Sequence, residues 1–147
     1  MDIEIFEILE RADAIAAHPV LVSMYEEGDD PAATLDEYLI SLQQAQENGY
    51  VFLGCRKDGK IIGTSGIRIM PDPWGAQPYA ILNNLVILPD YRNQGIGTRL
   101  LQYSQQLAQQ RGAHGVGLHV RAHNDKAIKL YESMGFKNNS LLMWRNF

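Results

Sequence analysis

Arg92, Asn93, Gln94, Gly95, Ile96 and Gly97 stand between an apolar run that closes at Leu88 and an amphipathic run that opens at Gly95. A strand entering a helix through two close glycines leaves the first-turn N–H groups without intrahelical partners. Those groups sit at the positive end of the helix dipole, and glycine lets a ligand approach them. With the Arg92 charge nearby, the stretch is a candidate cradle for a pyrophosphate. Two other phosphate-binding patterns are excluded. The dinucleotide fingerprint G-x-G-x-x-G fails because Arg99 and Leu100 stand where the third glycine would fall, and no Gly-Lys-Ser/Thr occurs anywhere in the chain. His119 and His123 have a zinc-like H-x₃-H spacing, but the first falls on a predicted strand and no cysteine pair accompanies them, so no metal is expected. Cys55, the single cysteine, cannot form an internal disulfide and reads as a small core residue in a reducing compartment.

The wider string is more specific. Val86, Pro89 and Tyr91 lead into R-x-x-G-x-G, and a second block, NDKAIKLYESMGF, follows at Asn124 to Phe136. The first resembles the acetyl-CoA-binding motif of the GNAT N-acetyltransferase superfamily. Asn124, Ala127, Leu130, Tyr131, Gly135 and Phe136 of the second are similar to that superfamily's later N-x-x-A-x-x-L-Y-x-x-x-G-F motif. The resemblance is close over roughly residues 82–136 and holds elsewhere in outline.

It implies acetyl-CoA as cosubstrate. Backbone groups of Leu85, Val86 and Ile87 would meet the pantetheine amides. Arg92, Asn93, Gln94, Gly95, Ile96, Gly97 and Thr98 would hold the pyrophosphate, and Asn124 would contact the pantetheine arm. It further implies direct acetyl transfer to an amine, with no acyl-enzyme and no role for Cys55 as nucleophile. Tyr131 stands where the family places the general acid that protonates the departing thiolate; by periodicity alone it would read as a core tyrosine. The base departs from the family's common pattern, because Asn83 and His119 occupy positions where relatives carry a glutamate. His119 is the candidate, with an unperturbed pKa near about 6.5. A hydrogen-bonded structural histidine, or a water chain ending on an acidic residue of the N-terminal third, stay open beside it. The alternative to an enzyme is a catalytically weak or inactive acetyl-CoA-binding regulatory module.

The elements that must position these residues follow from periodicity and punctuation. Ile3–Leu9 alternates as a first strand, and Asp13–Ala17 suggests a short helix ended before Pro19. Residues 20–31 read as a loop. Thr34 and Glu37 form a capping box for a helix to about Glu47, with Leu35, Leu39, Leu42 and Ala45 or Gln46 on its apolar face. Tyr50–Arg56 and Lys60–Met70 are strands joined by Asp58-Gly59. Gly63 and Gly66 suggest bulges or close backbone approach. Residues 70–78 form a loop in which Trp74 either anchors by packing or lines a substrate cleft. Ala80–Leu88 is the central strand, Gly95–Arg111 a helix, Gly115–Arg121 a strand, Asn124 the cap of a last helix ending at Gly135, and Phe136–Trp144 a closing strand. The expected fold is one α/β (α+β) domain over residues 1–147, a mixed, mostly antiparallel sheet flanked by helices. The resemblance adds that its fourth and fifth strands splay to admit acetyl-CoA.

Composition sets the outer bounds. An apolar fraction of 46% and a charged fraction of 20% suit a globular domain. No apolar run approaches a membrane span, and the acidic N-terminal stretch lacks the basic region of a secretory signal, so no membrane partner and a cytoplasmic location are expected. The net charge of −4 hides a split of −11 over residues 1–50 and +7 over 51–147. The basic part holds the cradle for a polyanion; the acidic part either faces a cationic amine acceptor or is a solvated surface. Nucleic acid is disfavoured by the acidity and by the lack of an aromatic-basic stripe. The acceptor's identity is not legible, nor is the oligomeric state, although many relatives form homodimers.

Overall fold

The sheet grows outward from a two-residue turn. Asp58 and Gly59 both take left-handed backbone, φ 50° and 77°, and join β2 (Tyr50–Lys57) to β3 (Lys60–Met70) as the dipeptide predicts. The computed structural model describes residues 2–26, 31–75 and 77–147. Its remaining elements are β1 (Glu4–Glu7), α1 (Arg11–Glu26), α2 (Leu35–Glu47), β4 (Tyr79–Ile87), a 3₁₀ turn (Pro89–Tyr91), α3 (Ile96–Gln110), β5 (Val116–Leu118) and α4 (Asp125–Ser133). The sheet order is β1-β2-β3-β4-β5; the first four strands pair antiparallel, and β5 runs parallel to β4. This is the mixed, mostly antiparallel sheet expected. The chain falls into two compact units, Met1–Gly117 and Leu118–Phe147.

In the first unit the two-residue period of the strands sorts side chains onto two cores. Val51, Leu53, Cys55, Ile67 and Ala80 face α3, where they pack with Ile96, Leu100 and Ala108. Phe52, Ile61 and Val86 face the other way, toward Ala14, Ala17 and Val20 of α1 and Tyr38 and Leu42 of α2. Each fully buried Leu, Ile or Phe contributes about 1.5–3 kcal/mol. The Ser104 hydroxyl, inside the apolar stripe of α3, lies 2.9 Å from that of Ser65 and ties the helix to β3.

Helix α2 starts as its capping box requires. The Glu37 N–H donates to Thr34 Oγ1 at 3.2 Å, and the Thr34 N–H to Glu37 Oε2 at 2.9 Å. Its buried face centres on Tyr38 and Leu42, whereas Leu35 is exposed.

Helix α1 corrects the expectation of a short helix ending before Pro19 and a loop after it. It runs through Pro19 to Glu26. Proline in a helix interior costs about 3 kcal/mol. Burial of Ala14, Ala17 and Val20 on one face, reinforced by the Tyr38 hydroxyl donating to the Ala14 carbonyl at 2.7 Å, offsets that cost. The acidic stretch 27–30 lies outside the described residues.

Part of the charge split is consumed within the fold. Arg56 pairs with Glu4 at 3.3 Å and Asp13 at 2.8 Å, and Arg111 with Glu7 at 3.7 Å. Trp74 is neither packed nor cleft-lining. It is 96% exposed, in a turn where Asp72 Oδ1 accepts the N–H groups of Trp74 and Gly75.

The second unit carries α4. Asn124 caps it, with its Oδ1 accepting the Ala127 N–H at 3.2 Å. The predicted strand over 136–144 does not form, because Asn138, Asn139 and Ser140 are poor strand formers. Leu141, Met143 and Trp144 are exposed. Among the described residues no helix is long and apolar enough to cross a membrane.

Candidate functional site

One face of the sheet forms the floor of a cleft of about 600 Å³. Tyr50 and Phe52 of β2, Arg68 and Met70 of β3, and Ile81 and Asn83 of β4 alternate along their strands and therefore share this face. The walls come from α1, with His18, Leu21 and Tyr25, and from α2, with Tyr38, Ser41 and Leu42.

The floor is organised by a bulge. Thr64 pairs with Val86 but Gly66 pairs with Asn83, so Ser65 alone opposes both Asn84 and Leu85. Asn84 takes left-handed backbone, φ 53°, and its carbonyl accepts from Thr64 Oγ1 at 2.9 Å. The bulge turns the Asn84 side chain toward Tyr50, whose hydroxyl accepts from Asn84 Nδ2 at 2.8 Å and donates to Asn83 Oδ1 at 3.1 Å. The hydroxyl lies across Gly66, where a Cβ would collide with it. Gly66 is thus a close approach, as its place in the strand suggested. Burial pushes the Tyr50 phenol up to about 12, against smaller opposing effects of the Asn84 hydrogen bond and the Arg68 charge. It is a neutral positioning group at ordinary pH. Sequence reasoning missed this constellation; the signals were two asparagines inside a strand and a glycine on the face of Tyr50.

The far end of β4 leads into the candidate cradle. Leu85, Val86 and Ile87 send their side chains alternately into the two cores, so the backbone is what a ligand could reach. The Ala80 N–H donates to the Gly115 carbonyl at 2.9 Å, so the three-residue parallel β5 begins beside the start of the nine-residue β4, which runs on past it toward this end. The Arg92 guanidinium folds back, Nε donating to the Ile87 carbonyl at 2.8 Å. Asn93 and Gly95 have left-handed backbone, φ 62° and 79°, and Gly95 caps α3. The first bond of the helix runs from the Arg99 N–H to the Gly95 carbonyl at 3.1 Å. The N–H groups of Ile96, Gly97 and Thr98 precede that ladder and form a donor set suited to phosphate oxygens. A Cβ on Gly97 would lie 3.7 Å from Ile87 Cγ1, an ordinary contact. Internal packing therefore does not demand glycine at 97, whereas a diphosphate seated on these donors would. The residues present fit that group.

The second unit holds the other three expected residues. Tyr131 is half-buried on α4, its ring edge-on to Phe136 at 5.9 Å, and burial raises its hydroxyl pKa. That favours the protonated form an acid needs. Asn124 spends its side chain on the helix cap. His119 is exposed and lies one residue past the end of β5, not on the strand where the sequence placed it. The strand stops early, and its last residue already belongs to the second unit.

Comparison with known proteins places this geometry. The acetyltransferase (GNAT) family matches residues 13–136. An uncharacterised N-acetyltransferase of Bacillus subtilis, YhfO, is 32% identical over 130 residues, covering 88% of this chain and 87% of that protein. The ribosomal protein bS18-alanine N-acetyltransferase of Escherichia coli strain K12 is 43% identical over 68 residues; there the chain spans under half of the relative, 45%, and 46% of its own length is aligned. A Trypanosoma brucei acetyltransferase crystal structure superposes with TM-score 0.83 at 21% identity, over 99% of this chain and 100% of that one, a likeness of fold.

Proposed function

Since the chain belongs to the acetyltransferase (GNAT) family, we propose that it moves an acetyl group from acetyl-CoA directly to a primary amine. The observation that carries this is β4 itself. At Asn83 and Asn84 it lines an acceptor-sized cleft, and at Ile87 it delivers the chain into a phosphate cradle.

Acetyl-CoA supplies an already activated thioester; the protein has to orient the amine and manage two protons. The donors of Ile96, Gly97 and Thr98, with Arg92, Asn93, Gln94 and Gly95 shaping the turn, bind the diphosphate. The β4 backbone at Leu85, Val86 and Ile87 binds the pantetheine amides, and Asn124 the arm. Tyr131 gives a proton to the sulfur. An alkyl ammonium must first lose its own proton, since its pKa is near about 10.4, and His119 takes it. The amine arrives as a cation, which the acidic N-terminal third attracts. The enzyme acts as one domain over residues 1–147, in the cytoplasm, and a homodimer is compatible with that role.

A regulatory module that binds acetyl-CoA without turnover has one observation in its favour: among the described residues no carboxylate lines the cleft. Thermal unfolding with acetyl-CoA, against ATP and NAD, comes first. Saturation at 100 times the dissociation constant adds about 2.7 kcal/mol. Stabilisation by acetyl-CoA alone supports the cradle, and its absence overturns it. Release of CoA thiol on adding amines then separates enzyme from module.

A further inference from the structure

We propose that Arg68 is the specificity residue of the cleft and that the acceptor amine carries an oxyanion, a carboxylate or a phosphate, which Arg68 binds. The inference rests on reading this cleft as the acceptor site. Arg68 is half-buried on the cleft floor, opposite Tyr50 on one side and Ile81 on the other. Among the described residues no carboxylate pairs with it, in contrast to Arg56 and Arg111. Among the described residues, the polar groups that share the cleft with it are hydroxyls, amides and one imidazole, with no carboxylate. Tyr50 is no counter-charge, because burial keeps its phenol protonated at ordinary pH while its hydroxyl is engaged by Asn83 and Asn84. A half-buried guanidinium that none of the described carboxylates pairs has donors to offer a ligand, and their planar fork matches carboxylate and phosphate.

The register sets the shape of that ligand. Arg68 stands two residues, about 6.7 Å, along β3 from Gly66, the level of Asn83 and the bulge. An oxyanion on the guanidinium thus leaves the amine of a compact zwitterion toward the bulge in β4. Leu21, Leu42 and Phe52 supply an apolar wall for the body of such a molecule. The ammonium end remains the cation that the acidic surface attracts, so the two charge preferences act on opposite ends of one acceptor.

The test uses matched pairs on the full-length protein. Amino acids, phenylalanine among them, are compared with their carboxamides, and O-phosphoethanolamine with ethanolamine. Two readouts are taken: CoA-thiol release from acetyl-CoA, and thermal stabilisation by each compound with CoA present. The wild type should favour the anionic member of the carboxylate or the phosphate pair by at least about tenfold in kcat/KM, and the pair that does so names the source. In Arg68→Gln that preference should collapse toward unity, chiefly through KM, and Arg68→Lys should recover part of it. An unchanged stabilisation by acetyl-CoA certifies each variant's fold. Equal responses to acid and amide, an undiminished preference in Arg68→Gln, or no stabilisation by any compound would overturn the proposal. Arg68-dependent stabilisation without thiol release would keep the oxyanion site and sink the transferase reading. Thiol release that favours neutral amines or polyamines would do the reverse.

Discussion

Gly66 and Gly97 show why two glycines in one chain ask for opposite experiments. At Gly66 a methyl group meets the Tyr50 hydroxyl, so Gly66→Ala should cost about 1–3 kcal/mol as an overpacked site. Chemical denaturation should show that loss, and Tyr50→Phe in the same chain should return part of it. At Gly97 the methyl group meets only Ile87 at ordinary distance. Gly97→Ala should leave stability unchanged or raise it by up to about 1 kcal/mol, while the thermal shift with acetyl-CoA shrinks. A full shift would place the diphosphate elsewhere. Tyr131→Phe should retain that shift and lose turnover, and His119→Ala should delete an ionisation from the pH–rate profile; an unaltered rate or profile removes the role. The glycine turn that opens α3 was legible because it is one continuous string, and the binding role proposed for it draws on its backbone donors. The cleft was not. Tyr50, Gly66 and Asn83 come from three strands and meet only through a register that the bulge shifts by one residue.

Elements were readable where their signals are local. The capping box of Thr34 and Glu37 is a four-residue pattern, and both of its bonds form. Thr34→Ala should remove about 1 kcal/mol, a fall in Tm of about 2–4 °C. A change under half a degree would mean that α2 is held by Tyr38 and Leu42 packing alone. Signals failed where distant packing decides. Pro19 argued for a break, yet the buried face of Ala14, Ala17 and Val20 carries α1 across it. The stretch 115–121 alternates well enough for a longer strand, but β5 keeps only Val116–Leu118. A strand needs a partner as well as a pattern, and the partner is not written in the same residues.

At the scale of the molecule, the charge split proved to be partly internal. Glu4, Glu7 and Asp13 neutralise Arg56 and Arg111, so the acidic third is less free to attract an acceptor than its count suggests. The buried phenols carry a clearer global signature. Burial raises the pKa of Tyr38 and Tyr131, and takes Tyr50 to about 12. A folded-state pKa above the unfolded value of about 10 means that the native state keeps a proton the unfolded chain sheds. That stability is fully present below about pH 10 and is lost as pH rises toward 12. Urea unfolding across this window should show a steep decline in the wild type. Tyr50→Phe should start lower at pH 8, without its hydrogen bonds, and decline less steeply; parallel slopes would deny the burial of the phenol.

Cys55 has a practical consequence. Its side chain is fully buried in β2, it is the only sulfhydryl in the chain, and its surroundings disfavour the thiolate. A disulfide dye added to the native protein should therefore stay colourless, and every absorbance unit in an amine assay reports CoA alone. In rising denaturant the same dye becomes a clock. The moment it reacts with protein marks the separation of β2 from its neighbours, with no label introduced and no residue changed.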